Sequence, residues 1–348
     1  MNQINFTNLK KRLIQQTRPL FSSLLVFILV ACTASANNYS FLKEFSVTTP
    51  ATVQISTAGG NIAAKGSETN KLTVKFIVQE RNKILDISID QLDRYADWDM
   101  VSDKNSVTIR INKIKKSGIS VSFDIETPRS TSVNFKSSGG NIAIEKLNGS
   151  VDVKTDGGNL AFESISGTIK AHTNGGNVAL ENIKGNVNCD SQGGNMAMEK
   201  IEGKVHISTM GGNIAAENIS PYLVASTMGG NIAISEVRGY AEVKTAGGNM
   251  AFDNVSGSLK AETGGGSIAA NILKVENTLI LKTSGGNVSV EIPGNTGYNV
   301  NLHADKVDVY LIHFDGSKSE GKVEGKINGG GFPVVIDSQS GVISVNFK

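Results

Sequence analysis

Gly-Gly-Asn returns every 18 residues along the middle of the chain, with its asparagine at 141, 159, 177, 195, 213, 231 and 249. Gly265-Gly266-Ser267 keeps the step, Gly285-Gly286-Asn287 follows after 20 residues, and an early copy, Gly59-Gly60-Asn61, stands apart. A fixed period of this length marks a stack of similar units, none of which can bury an apolar face alone. Each repeat is counted here from its first glycine. Position 4 reads Ile142, Leu160, Val178, Met196 and onward, and position 6 reads Ile144, Phe162, Leu180, Met198. Positions 9, 13 and 15 are also apolar, position 9 ending at Leu273. Positions 4 and 6, then 13 and 15, alternate with polar neighbours, the period of strands with one buried face. Glycine recurs at position 11 (149, 167, 185, 203, 239, 257). Each repeat therefore reads as two nine-residue halves, each a turn and a short strand.

Stacking such units in parallel, ~4.8 Å apart, buries every apolar column. The fold class expected is all-β: a parallel β-helix or β-roll solenoid with 18-residue coils, two strands per coil and a cap at each end. A left-handed hexapeptide helix needs a six-residue period, but positions 4, 10 and 16 are apolar, polar and polar. Residues 37–138 read as an N-terminal β region and cap, with alternating runs at 72–78, 106–111 and 119–123 and a loop or short helix within 81–100. Residues 139–292 read as the regular coils. Residues 293–348 read as C-terminal β coils and cap, because an open end would expose unpaired strand edges.

Residues 1–36 have the layout of an export signal: Lys10, Lys11, Arg12 and Arg18, then an apolar run from Leu20 to Ala31, then small residues. Two processing points stand open. Ala34-Ser35-Ala36 is a small-x-small site giving a chain that starts at Asn37. Leu29-Val30-Ala31-Cys32 resembles the bacterial lipobox, which implies lipidation of Cys32. After Cys32 no apolar run is long enough to span a bilayer, so any membrane attachment expected is through that lipid. The product is expected in the periplasm, at the outer membrane or on the cell surface.

Without residues 1–36 the 34 basic residues fall by 4 to 30, against 32 acidic ones. That balance argues against a nucleic-acid partner, which needs a basic surface. Two cysteines allow neither a disulfide framework nor a cysteine-rich zinc site. No metallohydrolase helix motif, phosphate loop or serine elbow occurs, and the four histidines are scattered. No catalytic residue, metal ligand or cofactor is therefore assigned. Turn-bound calcium is disfavoured too, since position 18 drifts from Asp156 through Asn174 and Gln192 to Met210 and Met228.

Three outer rows remain. Asn141, Asn159, Asn177, Asn195, Asn213, Asn231 and Asn249 read as a structural ladder, with the neighbouring glycine pair supplying positive φ. Position 5 is Ala143, Ala161, Ala179, Ala197 and Ala215, continuing to Ala269, and by alternation it faces outward as a flat strip. Position 7 is Glu145, Glu163, Glu181, Glu199 and Glu217, either a solvated face or an acidic row for a cationic partner. The alanine and glutamate rows together form the candidate binding face. Threonine or serine at position 17 reads as a structural hydroxyl row, and Cys189 at position 15 as a buried thiol.

With these coils the chain resembles a large bacterial group named putative adhesins, built on a β-helix of Gly-Gly-x coils. The likeness covers most of residues 40–348. It also rests on Ser120-Val121-Ser122-Phe123-Asp124-Ile125-Glu126-Thr127-Pro128 and on Gly325-Lys326-Ile327-Asn328-Gly329-Gly330-Gly331. It implies an extracytoplasmic solenoid and supplies no catalytic residues. The function expected is a non-enzymatic envelope protein that engages a polymer or protein multivalently, self-association included. The alternatives are a carbohydrate-active β-helix enzyme and a periplasmic scaffold or sensory partner.

Overall fold

The computed structural model describes residues 39–348, so the expected export signal, its two expected processing points and Cys32 lie outside the described residues. Those residues form two compact units, 39–194 and 195–348, divided within the run of regular coils. Both are parallel β-solenoids.

In the N-terminal unit each regular coil holds two strands. Ile142–Glu145, Leu160–Ser166 and Val178–Lys184 pair in parallel, as do Val151–Thr155, Ile169–Thr173 and Val187–Ser191. Every residue faces the one 18 positions on, Ile142 against Leu160 and Val151 against Ile169. In the C-terminal unit the two halves run on as single 14-residue strands: Met196–Thr209, Ile214–Thr227, Ile232–Thr245 and Met250–Thr263. The longer Ile268–Thr283 follows. Positions 4, 6, 9, 13 and 15 are buried in both units.

The corner of each coil lies at position 8. Lys146, Ser164, Asn182, Lys200, Asn218, Glu236 and Asn254 all have φ between 53° and 59°. One left-handed residue turns the chain so that positions 6 and 9 both point inward, three residues apart. The glycine pair was expected to supply positive φ, but in the regular coils it does not. Its second member is needed for contact between coils. A Cβ on Gly158 would sit 1.9 Å from the carbonyl oxygen of Gly140, whereas one on Gly157 would meet nothing within 4 Å. Leu273 also departs from expectation. The Ile268–Thr283 strand lacks the left-handed residue, so Ile272 takes the inward place opposite Val255 and Leu273 is 55% exposed.

Both units carry a coil out of chain order. Ala51–Thr57 lies between Ser106–Ile114 and Thr131–Ser137, and Ile62–Ser67 lies between Ile119–Pro128 and Ile142–Glu145. The early Gly-Gly-Asn copy is thus stacked directly on the regular coils. At the other end, Phe332–Ser338 enters between Ile268–Thr283 and Tyr298–His303. Val342–Phe347 likewise enters between Val288–Ile292 and Lys306–Val309.

Antiparallel strands close these regions. Phe41–Ser46 pairs with Lys71–Glu80, which pairs with Ile119–Pro128, and Ala96–Ser102 pairs with Ser106–Ile114. The Phe76 ring stacks on Phe41 at 4.5 Å and meets Phe123 edge-on at 5.1 Å, filling this cap with aromatic surface. Within 81–100 the helix is the 3-10 turn Ile89–Arg94. In the C-terminal unit Lys322–Ile327 pairs with Tyr298–His303 and with Phe314–Lys318.

Candidate functional site

Two ladders bind coil to coil. The main-chain N–H of Asn159 donates to the side-chain oxygen of Asn141 at 2.8 Å, and Asn177 repeats this on Asn159. Asn141 donates in the same way to Asn61. In the C-terminal unit Asn213, Asn231 and Asn249 donate to Asn195, Asn213 and Asn231, each at 2.8 Å. Each amide oxygen therefore caps a turn N–H one coil away. The buried hydroxyl at position 17 works in both directions. Thr155 accepts from the N–H of Gly158 at 3.2 Å and donates to the carbonyl of Gly140 at 2.9 Å. Thr173, Thr245 and Thr263 repeat the pattern.

The alanine row is not an exposed strip, which corrects the expected binding face. Ala161, Ala179, Ala197, Ala215, Ala233, Ala251 and Ala269 are 2–8% exposed, and Ala143 is half-buried. A methyl group stands one carbon above the sheet, while asparagine and glutamate rows rise on both sides of it. Only at the foot of the regular coils does the row open. The glutamates of position 7 are half-buried and in register, Glu145 against Glu163 and Glu199 against Glu217. Several have partners: Lys65 pairs with Glu145 at 2.7 Å, Lys200 with Glu199 at 2.5 Å, and the Asn182 amide donates to Glu181 at 3.3 Å.

The structure gathers two surface clusters that period counting missed. In the N-terminal unit the His172 ring bonds Asp190 of the next coil on one nitrogen and Asn174 on the other, and Asn174 donates to Asp156. In the C-terminal unit positions 12 and 14 line up aromatic rings. Tyr222 and Tyr240 stack at 5.1 Å with 18° between planes, and His206 lies 5.5 Å from Tyr222. The 18-residue step from Tyr222 to Tyr240 was visible in sequence. Position 12 stands outside the buried columns of positions 4, 6, 9, 13 and 15, so the step carried no burial signal.

The Tyr240 hydroxyl donates to Glu242 at 2.9 Å, and Glu242 also receives Lys244 at 2.9 Å and Lys260 at 3.2 Å. These three donors, Lys244 foremost, hold the Glu242 carboxyl down at about 2. Burial and the bond to Glu242 push the Tyr240 hydroxyl up to about 12. Beside this network Lys244, Glu262, Lys282 and Asp337 follow one another in register, alternating in sign. They line an open groove of about 530 Å³ with Thr227 and Gln339. Cys189 is buried, and burial raises its thiol far above the usual range. Among the described residues no three His, Cys, Asp or Glu side chains gather to hold a metal ion. Nor is any described helix long and apolar enough to cross a membrane.

Parallel coils, tied by amide and hydroxyl ladders and offering side-chain rows on their outer faces, define a β-solenoid. The chain belongs to the family described as Toastrack DUF4097, which it matches over residues 43–346. Among solved structures it is similar to a putative cell adhesion protein from Clostridium sporogenes, at 12% identity and a TM-score of 0.27. That match covers 88% of this chain and 99% of the other. It is also similar to a putative adhesin from Bacteroides fragilis, at 16% identity and a TM-score of 0.28, covering 88% and 96% of the two chains. No curated protein matches it.

Proposed function

We propose that the chain is an exported, non-enzymatic adhesin of the bacterial envelope that grips a repeating polysaccharide on its C-terminal unit. The observation that carries this reading is the face where Tyr222, Tyr240 and His206 adjoin the Lys244–Glu262–Lys282–Asp337 row. Tyrosine presents apolar ring and polar hydroxyl at once, which suits a sugar's mixed surface. Charged groups repeat at the coil spacing, so a polymer with a regular repeat meets several of them together, and weak contacts multiply. Held ionised by three donors, Glu242 has no proton to give near neutral pH and cannot serve as a general acid.

Two measurements test the proposal. Tyr222→Ala with Tyr240→Ala should weaken binding to purified envelope polysaccharide by about tenfold or more, each ring–ligand contact being worth ~1 kcal/mol, while stability falls only by the ~1–2 kcal/mol of the lost stack and hydrogen bond. Undiminished binding removes this face from the reading. Protease added to intact cells should digest the protein, and Cys32→Ser should release it into the medium if Cys32 carries the anchor. Complete protection until the outer barrier is opened would replace the adhesin with a periplasmic partner.

A further inference from the structure

Two turns of the N-terminal unit meet at the edge where the described chain begins. Arg81-Asn82-Lys83 joins Lys71–Glu80 to Lys83–Ile84, and residues 113–118 lead from Ser106–Ile114 into Ile119–Pro128. The main-chain N–H of Arg81 donates to the carbonyl of Gly118 at 2.9 Å, so the turns are neighbours. Residues 80–84 and 113–118 together carry Arg81, Lys83, Lys113, Lys115 and Lys116; the carboxylates beside them are Glu80 and, opposite Lys113 in register on the neighbouring strand, Asp97. All five basic side chains are exposed. Lys115 pairs with Asp97 at 2.7 Å, and the Lys116 ammonium lies 4.7 Å from the Tyr95 ring centre. Among the described residues Arg81, Lys83 and Lys113 have no carboxylate within ion-pair distance.

Apolar groups lie between these charges. Ile84, Ile114 and Tyr95 are half-buried, and Tyr39 is 38% exposed. The chain enters the structure at this edge as well. Ser40 donates its N–H to Phe76, and its hydroxyl accepts from the N–H of Val78 at 3.0 Å. Val78 is three residues before Arg81, about 10 Å along a strand. Seven residues before Tyr39 stands Cys32, at the end of the apolar run Leu20–Ala31.

We propose that this edge docks on an anionic phospholipid bilayer. The inference rests on the export reading above, because it takes the segment before Tyr39 as the tether. Seven extended residues reach at most ~25 Å, so a tether entering here keeps the two basic turns close to the bilayer. Lysine and arginine near an anionic surface each strengthen binding roughly fivefold, within a Debye length. Tyrosine and isoleucine among them match the composition of an interface, where amphipathic rings settle between water and hydrocarbon.

The test uses the full chain with vesicles of phosphatidylcholine alone or with phosphatidylglycerol added. The leader's Lys10, Lys11, Arg12 and Arg18 favour the anionic vesicles equally in every variant, so the change between variants isolates the edge. The wild type should bind the anionic vesicles at least about tenfold more tightly at moderate salt, and the preference should fade as salt rises. Arg81→Glu, Lys83→Glu, Lys113→Glu and Lys116→Glu combined should lower the preference at least about tenfold. The same number of reversals at Lys136, Lys154, Lys170 and Lys184 should leave it in place. Equal loss in both variants would reduce the effect to net charge and overturn the docking edge, as would a wild type indifferent to phosphatidylglycerol. Lysine acetylation of the wild type gives an answer that no variant's folding can spoil. Anionic vesicles should shield Lys83, Lys113 and Lys116 but not Lys154 or Lys170; uniform labelling overturns the proposal. If the edge fails while cell-surface digestion and polysaccharide binding hold, the adhesin reading survives it. If those fail while the preference persists, only the adhesin reading falls.

Discussion

The two glycines that open each coil differ in what surrounds them. A methyl group on Gly158 would sit 1.9 Å from the Gly140 carbonyl oxygen, a backbone atom locked in the coil below. Gly158→Ala should therefore cost about 3 kcal/mol or more, the range of severe overpacking. Gly157→Ala meets open space and should cost less than about 1 kcal/mol. Denaturant unfolding of the two variants compares them directly, and equal losses would refute the close-approach explanation. Glu242 gives a pH signature at the same scale. Its carboxyl titrates near 2 in the folded chain, below the ordinary unfolded value of ~4.3. Its ion pairs thus stabilise the fold fully above about pH 5, and the gain is lost as pH falls toward 2. Lys244 is half exposed, so screening reduces the contribution to about 1 kcal/mol. Glu242→Gln should flatten the acid limb of a stability-against-pH curve by that amount; an unchanged limb would show that the pairs contribute nothing.

At the scale of the coil, the inward columns were legible because burial leaves a period of two. The corner was not. Position 8 reads Lys, Ser, Asn, Lys, Asn, Glu and Asn; asparagine tolerates a left-handed backbone, but the lysines, serine and glutamate between hide the column. Only the three-residue step between the inward positions 6 and 9 hinted at it. The alanine row misled for a related reason: alternation gives the side of the sheet but not how far neighbouring rows overshadow a methyl group. The tyrosine stack left no such mark, because only Tyr222 and Tyr240 carry a ring at position 12 of the series. Ser164, with φ 56°, tests the corner. Ser164→Gly should stabilise by about 0.5 kcal/mol or more, and the β-branched Ser164→Ile should destabilise by about 1–2 kcal/mol. Thermal melts of the pair check both signs, and a glycine variant less stable than wild type would argue against strain at this position.

At the scale of the molecule, Cys189 reports on the stack as a whole. It lies in an inward column, in register with Ala171 of the preceding coil, and burial disfavours its thiolate. In Cys32→Ser protein, a thiol reagent should label Cys189 only as fast as the N-terminal unit opens. Labelling should become immediate in denaturant; rapid labelling of the native protein would mean that coils open locally.

The coils inserted out of order bear on time rather than energy. A ribosome makes residues 51–67 long before either strand set that will flank them, and residues 332–347 after both of theirs. The first of these coils must wait for its neighbours, while the second must slide into a gap already framed. Assembly therefore cannot proceed as simple winding from one end. Until residues 332–347 arrive, the C-terminal unit keeps an open slot between Ile268–Thr283 and Tyr298–His303. Their arrival acts as a latch, and a chain cut short before it would leave that slot unfilled for any other strand to enter.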